Sequence, residues 1–302
     1  MSGRDVQSNG VAGPEHTRLD SATRIRMAVS ARSLCRSGDD HRARGRYAQA
    51  ETLYHQALAV AQQVYGDRHV EVSVICNNLA VLYKYTGDFQ KASDLYQRAL
   101  AIIEELLGQD HPDTAAIYHN LGGLEHEQGR HAQGEPFARR ALAITMRTFG
   151  PNHPKTAADM AALAAILDGQ RKYDESESLY LRALSIFERD YGEKQYDIAV
   201  NVNNLAALKE AQGKLTEAEP LYRRALEIKE SLFGAEHPDC AVTLNNLAVL
   251  LRKQGKYGEA KAAYRRALTL LSRSLRSEHP KILVCRDNYR TLLQLQRKQH
   301  GC

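Results

Sequence analysis

With 302 residues and 43% apolar side chains, the chain can bury an extensive core, and with no Trp and only five Phe that core must be built largely of Ala and Leu. The net charge of +5 equals the surplus of residues 18–46 alone, where eight arginines face Asp20, Asp39 and Asp40, so the remainder is close to neutral. No stretch approaches the roughly 20 apolar residues of a membrane span, and the opening MSGRDVQSNGVAGPEHTR lacks the apolar run of a signal peptide.

Residues 1–17 are rich in Gly, Ser and polar side chains and read as a disordered tail. An arginine-rich helix follows over about 19–36. Ser37, Gly38, Asp39 and Asp40 then occupy what should be a helix interior, which predicts a short insertion before the first turn at Gly45. From there a fixed period governs the chain. The pair Ala57-Leu58 recurs at Ala99-Leu100, Ala141-Leu142, Ala183-Leu184, Ala225-Leu226 and Ala267-Leu268, always 42 residues apart. Such a period marks a stacked array whose units touch only their neighbours. The units are about 18–66, 67–108, 109–150, 151–192, 193–234 and 235–276.

Each unit reads as helix, turn, helix. In the second, Val74, Leu79, Ala80, Leu82 and Tyr83 form the i, i+3, i+4 stripe of one helix, and Phe89, Ala92, Leu95, Tyr96, Ala99, Leu100 and Ile103 that of the next. Turn glycines fall at Gly45, Gly87, Gly129, Gly213 and Gly255, and helix-ending glycines at Gly66, Gly108, Gly150, Gly192 and Gly234. His-Pro opens units at 111–112, 153–154, 237–238 and 279–280, with Pro at the first helical position, where its missing N–H costs nothing. Pro136 and Pro220 fall near the start of second helices, among N–H groups that lack intrahelical acceptors. A final helix, about 280–298, has nothing after it to pack on. Tyr289 and Arg290 stand there where other units place Leu and Ala, as a capping helix requires, and 299–302 form a short tail. The expected fold is all-α, a right-handed α-solenoid of about six antiparallel helix-turn-helix repeats with a C-terminal capping helix.

The pattern Leu79-Ala80, Tyr83, Gly87, Phe89, Ala92, Tyr96, Ala99-Leu100 resembles the tetratricopeptide repeat. Its small residues mark where paired helices approach most closely: Ala80, Gly122, Ala164, Ala206 and Ala248 on one side, and Ala50, Ala92, Gly134, Ser176, Ala218 and Ala260 on the other. The usual repeat has about 34 residues, so a period of 42 implies helices about one turn longer each. The runs Asn-Asn-Leu-Ala, Gly-Lys-Tyr-x-Glu-Ala, Leu-Tyr-x-Arg-Ala-Leu and Gly-x-x-His-Pro are similar to the kinesin light chain class of these repeats. The resemblance spans about 18–298 and implies an inner wall lined by the first helices, with a protein or peptide partner held along it.

On that wall Val74, Asn78, Val81 and Tyr85 share one face. Asn78 recurs as Asn120, Asn204, Asn246 and Asn288, preceded by Asn77, His119, Asn203 and Asn245. An asparagine amide both donates and accepts, so a ladder of them suits an extended peptide backbone, a role that the resemblance implies for the second Asn of each pair. The alternative is that the pairs bond across helices within the array. Lys84, Tyr85, His126, Arg252 and Lys253, one to two turns later, would supply selectivity, the cations favouring an acidic ligand. The fourth unit breaks the ladder with Ala161 and Ala162, followed by Asp168-Gly169, and either splits the grip in two or bends the array.

Nothing calls for catalysis, a cofactor or a metal. There is no phosphate loop, G-x-S-x-G or H-E-x-x-H. The phased His69, His111, His153, His237 and His279 lie one unit apart, too far for shared zinc, and are expected to cap the helices that follow them. Cys35, Cys76, Cys240, Cys285 and Cys302 match neither a disulfide framework nor a zinc site, which fits reduced thiols and a cytoplasmic setting. The expected function is a non-catalytic scaffold or adaptor that binds an extended, possibly acidic, segment of a partner protein. Two alternatives are a nucleic-acid or acidic-partner site on the arginine-rich first unit and a self-associating structural module; nucleic acid is disfavoured because no stacking motif accompanies the arginines.

Overall fold

The computed structural model describes residues 20–192 and 195–300. The tail expected over 1–17 lies outside them, as do Glu193, Lys194 and the last two residues. The described residues form α1 (Ser21–Ala43), α2 (Tyr47–Tyr65), α3 (Val70–Thr86), α4 (Phe89–Leu107), α5 (Pro112–Glu127), α6 (His131–Phe149), α7 (Pro154–Gly169), α8 (Tyr173–Tyr191), α9 (Tyr196–Ala211), α10 (Leu215–Phe233), α11 (Cys240–Lys253), α12 (Tyr257–Ser272) and α13 (Pro280–His300). Six antiparallel pairs stack in chain order and α13 covers the last. None of these helices is long and apolar enough to cross a membrane.

Close approach within each pair rests on the small residues. Ala80, Ala164, Ala206 and Ala248 are fully buried opposite Ala92, Ser176, Ala218 and Ala260. The Ser176 hydroxyl donates to the Ala164 carbonyl at 2.8 Å, and a Cβ added to Gly134 would meet the Gly122 carbonyl at 3.0 Å. Tyr54, Tyr96, Tyr180, Tyr222 and Tyr264 recur beside these crossings, essentially without exposure.

The insertion expected at Ser37–Asp40 is absent, and the first helix runs on unbroken to Ala43. Gly38 stands one period before Ala80 and does the same work: a Cβ there would lie 2.7 Å from the Tyr54 ring. Asp39 accepts the Tyr54 hydroxyl at 2.7 Å, so the polar run caps a buried phenol and does not interrupt the helix. The fourth unit departs for a similar reason. A Cβ on Gly169 would come within 2.4 Å of the His131 ring. Pro136 and Pro220 sit at the sixth residue of α6 and α10, past the orphan N–H groups. The last helix extends to His300, two residues beyond expectation.

Four of the five phased histidines cap the helix that follows, and His237 does not, because α11 starts one residue beyond the N–H that its Nδ1 accepts. Nδ1 of His69, His111, His153, His237 and His279 accepts the backbone N–H two residues on, at 3.0–3.3 Å. In the third His-Pro loop the helix starts later, at Cys240, so Pro238 precedes it. A bare Nδ1 places the ring proton on Nε2, and two of these protons reach across the superhelix. His237 Nε2 donates to the Ala43 carbonyl at 2.8 Å and His279 Nε2 to the Tyr85 carbonyl at 2.9 Å, each 194 residues away. Pro238 packs on Gly45 and Pro280 on Gly87, where a Cβ would stand 2.8 and 3.1 Å from the proline ring. The array therefore closes on itself along a seam.

Titratable residues follow the same phase. Arg42, Lys84, His126, Asp168, Glu210 and Arg252 end the first helices, one per unit. Glu210 accepts the Tyr222 hydroxyl at 3.0 Å and pairs with Lys253 at 2.8 Å. Asp168 lies near Tyr180 with no ion-pair partner among the described residues, and burial pushes its carboxyl up to about 6 from an ordinary 3.8.

Two outcomes follow. Gly38→Val forces a branched side chain against the Tyr54 ring and lowers stability by about 1–3 kcal/mol, read as an earlier urea midpoint; an unchanged midpoint would mean that the crossing has slack. Asp168 binds its proton more tightly folded than unfolded, so its presence costs stability progressively as pH rises from about 4 to about 6. Asp168→Asn is then expected to match the wild type near pH 4 and to exceed it by about 1–3 kcal/mol at pH 7.5, measured by denaturant unfolding at both pH values.

Candidate functional site

Helices α3, α5, α7, α9 and α11 carry Val74, Ala116, Ala158, Val200 and Val242 in one row, with Val284 of α13 continuing it. The row is small and apolar. Val74 and Val284, at its two ends, are 44% and 55% exposed. One turn further along each of these helices except α7 stand the asparagines.

Much of their hydrogen bonding is spent between units. Asn120 Nδ2 donates to Asn77 Oδ1 at 2.8 Å and Asn288 Nδ2 to Asn245 Oδ1 at 3.2 Å. Asn78 Nδ2 lies 3.5 Å from both Cys35 Sγ and Asp39 Oδ1, so the ladder reaches α1, where Cys35 holds the first position of the pair. Within pairs, Asn77, Asn203 and Asn245 donate to Asn78, Asn204 and Asn246 at 3.2–3.4 Å. Asn203 Oδ1 is buried with no partner. The arrangement contains the inter-helix bonding of the second sequence reading, while the second asparagines stay part-exposed on the wall.

Where Ala162 removes the next rung, the wall is rebuilt from other groups. His119 turns its Nδ1 to Asp159 Oδ1 at 2.6 Å, and Asp159, 5% exposed, accepts the Thr145 hydroxyl at 2.8 Å through its other oxygen. The gap itself becomes a chamber of about 370 Å³. Ala158, Ala161, Ala162 and Ala165 form its floor, and Lys84, His119, His126, Glu127, Asp197 and Asn204 bring polar groups to it. The Lys84 ammonium makes no hydrogen bond or ion pair among the described residues, and burial lowers its pKa, against the pull of Glu127. Burial raises Asp197 and lowers His126. Asn201, 2% exposed, leaves Oδ1 unpartnered at the same chamber.

The predicted selectivity residues are thus divided. Lys84 and Tyr85 line the chamber. Tyr85 also stacks on Tyr47, with ring centroids 6.3 Å apart. Arg252 and Lys253 lie at the far end of α11, outside it. Lys253 is engaged by Glu210, while Arg252 keeps an unpartnered Nε. Asn77 lines a separate cleft of about 100 Å³ with Val74, Asp113 and Ala116. Sequence reasoning missed Asp159, Asp197, Asn201 and Tyr196, none of which falls on the repeated asparagine phase. The arginines of the first unit are partly consumed internally: Arg24 donates to the Val64 carbonyl, Arg32 pairs with Glu71 and Arg42 bonds the Tyr54 hydroxyl.

No curated protein sequence matches the chain. Among solved structures it is similar to BtubC (BKLC) from P. vanneervenii, with 28% identity over 82% of this chain and 91% of that one and a TM-score of 0.50. It is also similar to the putative kinesin light chain TPR-like repeats of Podosopora anserina, with 21% identity over 68% and 97% and a TM-score of 0.53. NprR, solved with its cognate peptide NprX, shares the fold at 14% identity over 95% and 76%, with a TM-score of 0.67. The tetratricopeptide repeat profile matches residues 29–105, 77–133, 113–189 and 197–273, most of the chain, and the chain belongs to the tetratricopeptide repeat family.

Proposed function

We propose that this protein is a non-catalytic cytoplasmic adaptor whose inner wall holds an extended segment of a partner protein. The observation that carries this reading is the chamber beside the interrupted ladder. A floor of four alanines can accept side chains, and amide and ammonium groups converge above it with hydrogen-bonding capacity to spare. NprR, a protein of the same fold, was solved holding a peptide. The unpaired Lys84 ammonium favours a carboxylate on the segment that reaches it. Lys253, already neutralised by Glu210, contributes less to that preference than Lys84 or Arg252. Nucleic-acid binding through the first unit is the weaker reading, because Arg24, Arg32 and Arg42 are occupied within the array.

In this mechanism Asn78, Asn120, Asn204 and Asn246 hold backbone groups of the segment while the first asparagines, with His119, brace the wall. The double variant Asn204→Ala, Asn246→Ala is expected to lose partner capture in an affinity pull-down while its far-UV circular dichroism stays that of the wild type. Undiminished capture by a folded double variant would overturn the assignment. Nucleic acid retained equally by both proteins, and released by salt, would move the function to the first unit.

A further inference from the structure

Where the superhelix closes, six helix termini, among them the end of α1 with Arg42 and Ala43, meet around a cavity of about 130 Å³. Tyr47 is the first residue of α2, Tyr85 lies at the end of α3, Tyr196 is the first residue of α9, Phe233 is the last of α10, and Asp239 caps α11. The first two belong to units one and two, the others to units five and six. Tyr47 and Tyr85 stack with centroids 6.3 Å apart, and Tyr196 meets Phe233 edge-on at 5.7 Å. Four aromatic rings, one carboxylate and the Arg42 side chain thus line a space worth a few water molecules.

We propose that this cavity is a binding site for a quaternary ammonium group, held by the faces of Tyr47, Tyr85, Tyr196 and Phe233 and balanced by Asp239. Aromatic faces are electronegative and attract cations most strongly when water is excluded. A methylated ammonium suits the site better than a lysine or arginine, because it has no N–H to satisfy and the walls offer it four ring faces and a single carboxylate. The molecule contains its own precedent: the Lys281 ammonium sits over the Tyr85 ring, 5.5 Å from its centroid. The cavity carries one charge of each sign, Asp239 and Arg42. Arg42 lines it, but its guanidinium is directed to the Tyr54 hydroxyl at 3.3 Å and to Asp39 at 3.6 Å. The Asp239 carboxylate has no lysine or arginine within ion-pair distance among the described residues. His237 stands 3.9 Å from it with an Nδ1 that accepts the Asp239 backbone N–H, and Lys229 bonds the Asp239 carbonyl instead. Burial holds the Tyr47 and Tyr196 hydroxyls well above the ordinary tyrosine range, so both remain neutral phenols. The cavity adjoins the chamber, since Tyr85 and Tyr196 line both.

The group could arrive on a free amine such as choline or on a trimethylated lysine, and the test separates them. Tetramethylammonium, choline and Nε-trimethyllysine amide are each titrated into the full chain, with the N-methyl proton resonance as readout. Saturable binding with an upfield ring-current shift is expected for at least one probe. Tyr47→Leu and the more exposed Phe233→Leu are each expected to weaken it about tenfold with circular dichroism unchanged. Stronger binding of choline or of the lysine derivative identifies the source. Absence of saturable binding by all three at tens of millimolar overturns the proposal. So does equal binding of 3,3-dimethyl-1-butanol, the neutral isostere of choline, which would make the cavity merely apolar. The Asn204→Ala, Asn246→Ala variant alters no cage residue and keeps ammonium binding, so failure of the adaptor reading and failure of this one are told apart.

Discussion

The fold depends on a helix crossing that admits nothing larger than a methyl or hydroxymethyl group. At each of these positions, from Gly38 to Ala248 on the inner helices and from Ala50 to Ala260 on the outer ones, the residue is buried and the backbones come nearly into contact. The close approach fixes the angle within a pair, and the 42-residue period repeats that angle without interruption. A small constant rotation per unit then determines the curvature of the whole array. Here the curvature is tight enough to bring the sixth unit under the first and the capping helix under the second. The seam, the chamber and the aromatic cavity all follow from that closure and belong to no single repeat.

The histidines join the local and the global levels. At His69, His111, His153 and His279 the Nδ1 bond caps the helix that follows, a local contribution on the order of 1 kcal/mol, and at His237 the same bond holds the residue that precedes α11. In two of them the opposite nitrogen also finds a carbonyl one superhelical turn away. The tautomer required for capping is the one that leaves a donor on Nε2, so the local and long-range bonds do not compete. Gly45 and Gly87 make the approach possible. A side chain at either would meet proline, and both residues hold the positive φ that glycine adopts without strain. Residues selected for a turn thereby also serve as the contact surface between turns.

Much of this was legible in the sequence, because hydrophobic phase, turn glycines and small residues report contacts within a unit and with its neighbour. Gly38 was misread because it sits in a polar run, yet counting 42 back from Ala80 identifies it, and the structure shows the same steric role. Contacts 194 residues apart leave no such trace. His237 and His279 look like His69 and His111 in the chain, and only the accumulated rotation distinguishes them. Tyr196 and Phe233 are likewise ordinary helix-end aromatics until α3 is brought beside them. At the wall, the repeated asparagines announced themselves, but His119, Asp159 and Thr145 replace a missing rung through a contact off the repeat phase, which periodicity cannot show.

The interruption in the fourth unit is best understood as a consequence of closure. In an open superhelix, Asn-Asn in place of Ala161-Ala162 would simply extend the ladder. In a closed one, the inner wall of the fourth unit faces helices α3 and α9 across a narrow space, and two further amide side chains would project into it. Alanine leaves the space open, and His119 turns aside to Asp159, which completes its hydrogen bonding without a rung. The cost is that Lys84 and Asn201 face the chamber with unsatisfied groups, and buried polar groups without partners are expensive. Other amide oxygens, those of Asn203, Gln212 and Gln254, are also buried without a partner among the described residues, but only Asn201 of these lines the hollowed part of the wall. The broken repeat thus leaves vacancy and unspent hydrogen bonds side by side on the inner wall, the two features on which the proposed peptide site rests.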